Sequence, residues 1–156
     1  MRGDGGQGVC VRPAACGDLE AVRALLRAAS LPDDGLEEQF PGGYAVAEGK
    51  GGALVGAAGV EVYAGDGLLR SVAVAAALRG TGLGKALAAD RKDWARRERL
   101  RSLYLLTSTA ADFFARLGFS RIARDDVPAP VRASREFVSV CPVSATVMRW
   151  RTAPDG

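Results

Sequence analysis

Residues 68–87 read LLRSVAVAAALRGTGLGKAL, and the other predicted elements are arranged around this segment. The apolar run at 68–74 predicts a buried strand, and the alanine- and leucine-rich run after the last glycine predicts a helix. Residues 79–85, RGTGLGK, lie between the two. A glycine-rich turn that leads into a helix favours phosphate binding, because its backbone amides are uncovered and the helix dipole adds positive charge.

The order of these parts excludes two commoner nucleotide sites. A dinucleotide fingerprint places Gly-x-Gly-x-x-Gly directly after the strand, and a P-loop ends in Lys followed by Ser or Thr. Here a linker separates strand and glycines, and Lys85 is followed by Ala86. The stretch therefore predicts a different phosphate-binding turn, and the alternative is an ordinary loop bounded by glycines.

Composition limits the class of protein. The chain has 156 residues, of which 48% are hydrophobic, and this suffices for one domain with its own core. No apolar run of about 18 residues lacks charges or glycines, so we expect no membrane span. The N-terminal MRGDGGQG has no hydrophobic segment behind it, so we expect a disordered leader at 1–8 and a cytoplasmic location. The formal net charge of +3 is mild, and we expect no nucleic-acid partner.

Histidine is absent from the sequence, and this limits the possible chemistry. It excludes Ser-His and Cys-His nucleophile pairs and every zinc site that needs imidazole. The three cysteines, Cys10, Cys16 and Cys141, have no metal-ligand spacing, and we expect no metal. Capture of trivalent arsenic would require two or three of their sulfurs to converge, which stays open as an alternative.

The rest of the chain alternates strands and helices within one domain. Apolar patterns predict strands at 9–12, 44–48, 53–63, 68–74, 103–106, 119–123 and 144–150. Helices are predicted at 19–29, 83–97 and 109–118, with shorter helical turns at 36–40 and 131–137 and a frayed tail at 152–156. Gly56 and Gly59 interrupt the longest strand, which suggests a bulge or a close backbone approach.

The central stretch resembles the acetyl-CoA site of the GCN5-related N-acetyltransferase (GNAT) superfamily, whose loop reads Gln/Arg-x-x-Gly-x-Gly/Ala. Arg79, Gly82 and Gly84 occupy those positions, and the turn at 117–119, Leu-Gly-Phe, is also typical of the family. The resemblance implies a single α+β (α/β/α) domain at 9–151, with a mixed, largely antiparallel sheet flanked by helices. It also implies an acetyl-CoA-dependent N-acetyltransferase that needs no metal. Homodimers are common in the superfamily, so a homodimer is one possible state, although the sequence does not fix the oligomeric state.

By the same resemblance, acetyl-CoA is bound mostly by the backbone. Main-chain groups of Val72, Ala73 and Val74 would pair with the pantetheine arm, and the amide of Val74 would stabilise the oxyanion. The pyrophosphate would lie on the turn formed by Arg79, Gly80, Thr81, Gly82, Leu83, Gly84 and Lys85.

One departure from the family pattern concerns the leaving group. The position of the tyrosine that usually protonates the thiolate holds Phe114, and a phenyl ring has no proton to donate. Ser108 is our candidate for this role, with Thr109, Tyr104 or water as alternatives, or the thiolate leaves unaided.

A second departure is Arg70, which stands where many relatives carry a carboxylate. Strand alternation puts its side chain on one face with Val72 and Val74. We expect Arg70 to bind an anionic group of the acceptor, most simply a carboxylate, through its planar fork. The alternative is an arginine that reaches solvent from the end of the strand.

Several segments resemble the arsenic-resistance-associated N-acetyltransferases, which are related to short N-acetylglutamate synthases. These segments are LLRSVAV at 68–74, LLTSTAADFF at 105–114, and REF at 135–137 together with the following Cys-Pro at 141–142. They imply a small anionic amino-acid-like acceptor, such as glutamate or a phosphinic or arsonic analogue. Arg132 and Arg135 are further candidates for contacts to its anionic groups.

Glu61 is our candidate for the general base, acting through water, and the alternative is an exposed strand acid. Two other functions stay open. The enzyme could acetylate a protein N-terminus or a lysine, or the domain could bind acyl-CoA without catalysis, which the missing tyrosine would favour.

Overall fold

The computed structural model describes residues 8–140 and 144–153, which form one seven-stranded sheet with helices on both faces. The strands are β1 (Cys10–Pro13), β2 (Tyr44–Glu48), β3 (Leu54–Tyr63), β4 (Asp66–Val74), β5 (Ser102–Thr107), β6 (Ser120–Ile122) and β7 (Thr146–Arg151). Their order across the sheet is β1-β2-β3-β4-β5-β7-β6. Residues 1–7 of the predicted leader, 154–156 of the predicted tail, and Cys141 lie outside the described residues.

The helices follow the apolar patterns of the sequence. They are α1 (Leu19–Ala28), α2 (Leu83–Arg97), α3 (Ala111–Arg116) and α4 (Ala129–Arg132), followed by a π-helical turn at Glu136–Val140. Helix α3 is shorter than predicted because the Ala110 N–H donates to Thr107 Oγ1 at 2.9 Å, which holds the residues before the helix in a turn. The predicted helix at 131–137 is in fact two pieces, α4 and the π-helical turn.

The sheet is mixed. Strands β1 to β4 are antiparallel neighbours, β7 is antiparallel to both β5 and β6, and β4 and β5 are parallel. This arrangement confirms the predicted α+β domain with a mixed, largely antiparallel sheet.

Each face of the sheet buries a separate apolar layer. Helix α1 packs on one face, where Val22 and Leu26 belong to one buried cluster with Tyr44 and Ala73. Helix α2 covers the other face, with Leu83 and Leu87 packed among the strand side chains. The C-terminal half of the sheet continues the second layer through residues that include Leu69, Leu103, Phe114 and Met148.

Strand β4 contains a bulge at its centre. Gly59 pairs with Arg70 and Ala57 pairs with Ala73, so the single residue Ala58 opposes both Ser71 and Val72. The backbone at Ser71 has a φ of 63°, in the left-handed region. A bulge of this kind inserts one residue and bends the strand.

The bulge changes which side chains share a face. Arg70 and Ala73 lie on the α1 face, whereas Val72 and Val74 pack against α2. The prediction that Arg70 shares a face with Val72 and Val74 is therefore wrong. Strict alternation fails because two residues of β4 oppose one residue of β3.

Strands β4 and β5 diverge after a short stretch of pairing. They pair at Gly67–Leu103 and Leu68–Tyr104. Beyond these pairs, β4 continues beside β3 as far as Val74, and β5 continues beside β7 as far as Thr107. The two strands therefore separate and leave a gap between them within the sheet.

Packing on the α1 face requires a glycine at position 59. The sequence suggested a bulge or a close backbone approach there. A Cβ at Gly59 would lie 2.1–2.6 Å from ring carbons of Tyr44. We expect Gly59→Ala to lower the free energy of unfolding by about 1–3 kcal/mol, because the buried ring has to move. Urea denaturation measures the change.

Gly17→Ala is the matched control for Gly59→Ala, since a Cβ there meets no atom within 4 Å. The stability of this control should stay within about 0.5 kcal/mol of that of the unmodified protein. Equal stability of the two variants would contradict the close approach of Tyr44 to Gly59.

Candidate active site

A cleft of about 420 Å³ occupies the gap between the diverging strands. Residues 69–72 of β4 form one wall, and residues 105–110 together with Phe114 form the opposite wall. The loop at 29–32 and the carboxylate-bearing residue Glu136 complete the lining. The site therefore draws on four segments that are distant in the sequence.

The open edge of β4 presents backbone groups towards this gap. The Ala75 N–H donates to the Val55 carbonyl at 2.8 Å, so it faces β3. Because successive N–H groups in an extended strand point to opposite edges, the amides of Val72 and Val74 face away from β3. Arg79 Nε donates to the carbonyl of Val74 from that open side at 3.3 Å.

The same alternation directs the amide of Ala73 towards β3, where Ala73 pairs with Ala57. Ala73 is therefore a poor partner for a ligand in the gap. Val72 lines the cleft, whereas Val74 lies two residues further along the strand and outside the lining. The backbone donor next to the cleft is thus Val72, although the sequence pointed to Val74 for the oxyanion.

The glycine-rich turn connects this edge to helix α2. Gly80 and Gly82 have φ values of 82° and 91°, a region that glycine enters at little cost. The first helical hydrogen bond runs from the Ala86 N–H to the Gly82 carbonyl at 3.0 Å. The amides of residues 83–85 precede this bond and point out of the helix N-terminus.

These two features fit the two polar parts of acetyl-CoA. The unpaired edge of β4 suits the amides of the pantetheine arm, because it offers donors and acceptors at strand spacing. The N-terminus of α2 suits the pyrophosphate, because the uncovered amides and the helix dipole favour an anion. A Cβ at Gly84 would make ordinary van der Waals contact with the ring of Phe113, at 3.4 Å.

Arg70 lies in the wall of the cleft, but its guanidinium is held by protein groups. Nη1 lies 3.2 Å from Glu61 Oε2, and Nε lies 3.3 Å from Glu136 Oε1. Nη1 and Nη2 also donate to the carbonyls of Asp34 and Pro32 at 3.1 and 3.3 Å. The side chain is only 2% exposed.

These contacts correct both interpretations of Arg70. The guanidinium neither reaches solvent nor offers a free fork to an acceptor carboxylate, because two glutamates and two carbonyls already engage it. Burial alone lowers the pKa of Arg70, but the carboxylates of Glu136 and Glu61 outweigh it and raise the pKa above its ordinary value. Arg70 is thus a buried cation that fixes the wall of the cleft.

Glu61 is also buried, at 2% exposure, so it is not an exposed strand acid. Its Oε1 accepts a hydrogen bond from the Tyr63 hydroxyl at 2.6 Å, and its Oε2 faces Arg70. Burial and the neighbouring carboxylate raise the pKa of Tyr63, so this hydroxyl stays protonated as a donor. Glu61 is absent from the cleft lining, which removes the geometric basis for its predicted role as general base.

The remaining predicted residues divide into two groups. Ser108, Thr109 and Phe114 line the cleft, whereas Tyr104 is buried away from it. Arg132 is exposed on α4, and Arg135 Nε donates to Glu38 at 3.1 Å beside a separate shallow pocket. Neither arginine lines the cleft, so neither is positioned to contact an acceptor there.

The sequence reasoning missed Glu136, which lines the cleft and is 6% exposed. Its only signal was its place in the REF segment at 135–137, which the resemblance singled out as a unit. Its contact with Arg70 spans most of the C-terminal half of the chain, and no local pattern encodes that contact.

Within residues 8–140 and 144–153, no group of three or more His, Cys, Asp or Glu residues could hold a metal ion. Cys10 and Cys16 are exposed free thiols, and Cys141 lies outside the described residues, so capture of arsenic by the cysteines stays untested. Within the same part of the chain, every helix is too short or too polar to cross a membrane.

The family model of the acetyltransferase (GNAT) family matches residues 19–119, and the chain therefore belongs to this family. A search of curated proteins finds no match.

Several solved structures are similar over most of the chain. N-acetylglutamate synthase from Neisseria gonorrhoeae, complexed with coenzyme A and L-arginine, is 25% identical with a TM-score of 0.75. The match covers 92% of this chain and 33% of that protein, so the chain spans about a third of the synthase's length. Rv2747 from Mycobacterium tuberculosis, in complex with CoA and NLQ, is 25% identical with a TM-score of 0.76, and the match covers 91% and 98% of the two chains. A GCN5-related N-acetyltransferase from Kribbella flavida is 25% identical with a TM-score of 0.66, over 94% and 99%.

The left-handed backbone of Gly82 can be tested through CoA affinity. We expect Gly82→Ala to raise the Kd for CoA about tenfold. An L-residue at positive φ costs about 1–2 kcal/mol, so the alanine variant relaxes to another backbone conformation and must return to the binding conformation at that cost. Isothermal titration calorimetry measures the change.

Gly51→Ala is the matched control for Gly82→Ala. Gly51 has a φ of 81° and, like Gly82, has no atom within 4 Å of an added Cβ, but it lies in the turn between β2 and β3. This variant should carry the same local strain and bind CoA with unchanged affinity. An equal loss of CoA affinity in both variants would contradict a specific role of the turn at 79–85.

Proposed function

We propose that this enzyme transfers the acetyl group of acetyl-CoA to the amine of a small amino-acid-like acceptor, such as glutamate or a phosphinic or arsonic analogue. The observation that carries this proposal is the cleft beside Val72. The loop at 29–32 and Glu136 complete its lining, and its volume of about 420 Å³ is typical of small-molecule sites.

The names of the similar structures support an amino-acid acceptor. The gonococcal protein is an N-acetylglutamate synthase, and its similarity covers nearly all of this chain. Arg70 is engaged elsewhere, so an acidic group of the acceptor has to be bound by neutral donors. The cleft offers the hydroxyl-bearing residues Ser30, Thr107, Ser108 and Thr109 for this purpose.

In the proposed reaction, the acceptor amine attacks the thioester carbonyl that acetyl-CoA supplies. The N–H of Val72 is the backbone donor nearest the cleft for the oxyanion, and Val74 is the next along the same edge. Ser108 and Thr109 lie on the opposite wall, where a hydroxyl or a bound water can deliver a proton to the departing thiolate. Phe114 supplies only an apolar surface there.

Two alternatives make different demands on the site. Acetylation of a protein N-terminus or lysine requires an open groove, whereas this cleft is lined on several sides, residues 29–32 and Glu136 included. An acyl-CoA-binding module without catalysis requires no proton donor, and Phe114 favours it. The links to arsenic resistance, to a homodimer and to the cytoplasm stay predictions.

An acceptor screen tests the proposal. Thiol release from acetyl-CoA is measured with glutamate, methionine and phosphinothricin, and with peptides that carry a free N-terminus or a lysine. We expect turnover with at least one small amino acid and none with the peptides. N-acetylglutamate is the matched control, because it lacks a free amine and should give no turnover.

Preference for the peptides would contradict the small-molecule proposal. Tight CoA binding without turnover on any amine would favour the non-catalytic module.

A further inference from the structure

We propose that Glu136 binds the acceptor's amine and accepts its proton, and that Arg70 is the positioning residue that holds the Glu136 carboxylate at the cleft. This inference rests on the proposed function and deepens it, because it names the group that selects a cationic amine.

The first support is the location of Glu136. It is the first residue of the π-helical turn and lines the same cleft as Val72, the nearest backbone donor for the oxyanion. Glu136 is 6% exposed, so its carboxylate is largely desolvated, and a charged ligand beside it is weakly screened. The amine and the thioester carbonyl would therefore meet within one cavity.

The second support is the net charge of the buried cluster that Arg70, Glu61 and Glu136 form. Arg70 carries one positive charge, whereas Glu61 and Glu136 together carry two negative charges when both are ionised. The nearby hydroxyls of Tyr44 and Tyr63 add no charge, because burial raises the pKa of each. Over these described side chains, the charges sum to one formal negative charge, which attracts an ammonium group.

The third support distinguishes Glu136 from Glu61. Both oxygens of Glu61 are engaged, one by Tyr63 and one by Arg70, and Glu61 is absent from the cleft lining. Glu136 shares the same arginine through Nε but lines the cleft. Of the two carboxylates, Glu136 is the one that an acceptor can reach.

The segment that carries Glu136 is anchored on both sides. Phe137 is buried at 6% exposure in the core cluster with Leu68 and Val131. The Phe137 N–H donates to Ser134 Oγ at 3.4 Å, and Ser134 is itself buried. Catalytic carboxylates need such fixed geometry, because small displacements cost large factors in rate.

The proton balance follows directly. The ammonium form of the acceptor gives one proton to the Glu136 carboxylate, and the free amine forms the C–N bond to the acetyl carbon. The C–S bond breaks, and the second proton of the nitrogen passes to the departing thiolate. Glu136 returns its proton to solvent, so one proton is released for each amide formed.

The test compares charge-removing variants of equal shape in the full chain. We expect Glu136→Gln to lower kcat/KM for the acceptor about 10²–10⁴-fold, while the KM for acetyl-CoA stays within about twofold. Glu61→Gln affects the cleft only through Arg70, so it should lower kcat/KM for the acceptor less than about tenfold. Glu20→Gln removes an exposed carboxylate from α1, whose side chain is 81% exposed, and should match the unmodified enzyme.

A pH profile separates a proton acceptor from a structural residue. With Glu136 present, kcat/KM should reach a plateau below the pKa of the free acceptor amine. In Glu136→Gln, kcat/KM should instead keep rising with pH, because only amine already deprotonated in solution reacts. A residue with a purely structural role would lower the whole profile without changing its shape.

The outcomes separate the two proposals. If the unmodified protein acetylates no amine, the proposed function fails. If it is active but Glu136→Gln keeps kcat/KM within about threefold and the same pH profile, the role of Glu136 is overturned and the function stands.

A second variant covers a failure of Glu136→Gln to fold. Glu136→Asp retains the charge beside Arg70 but withdraws the carboxylate by one methylene. It should bind CoA normally and lose about tenfold or more in kcat/KM. Full activity of Glu136→Asp would overturn the inference.

Discussion

Ser71 and Val72 together oppose the single residue Ala58 of β3, and the rest of the site depends on this bulge. A non-glycine residue at a φ of 63° costs about 1–2 kcal/mol. Part of this cost is offset locally, since Arg70 Nε donates to Ser71 Oγ at 3.1 Å. Because of the bulge, the side chains of β4 after Arg70 lie on the faces opposite to those that strict alternation predicts. The strand also diverges from β5. The cleft and the open backbone edge at Val72 and Val74 both follow from that divergence.

Arg70, the residue before the bulge, links three segments around the cleft. Arg70 contacts Glu61 on β3, Glu136 on the π-helical turn, and the carbonyls of the loop after α1. A buried charge is costly unless its hydrogen bonds are satisfied, and this guanidinium has partners on all three nitrogens. Arg70 thereby fixes β4, whose open edge suits the co-substrate, to the loop after α1 and to the π-helical turn, which line the cleft where the acceptor is proposed to bind.

The sequence predicted the fold and the co-substrate half of the site well, because both are encoded locally. The apolar periods located the strands and helices to within a few residues, and the glycine pattern at 79–85 marked the helix entry. The acceptor half was predicted poorly. A serine bulge has no local signature, so alternation placed Arg70 on the wrong face. The direction of Arg135, and the contact of Glu136 with Arg70, depend on how distant segments pack.

The bulge separates β4 from β5, and we expect acetyl-CoA to bind to the exposed edge of β4. A crystal structure of the protein with CoA tests this expectation. We expect the pantetheine arm between the two strands, with hydrogen bonds of about 2.7–3.2 Å to main-chain groups of Val72 and Val74. The pyrophosphate should lie on the amides at the start of α2. CoA bound elsewhere on the surface, or a straight β4 that pairs with β5 beyond Leu68, would contradict the expectation.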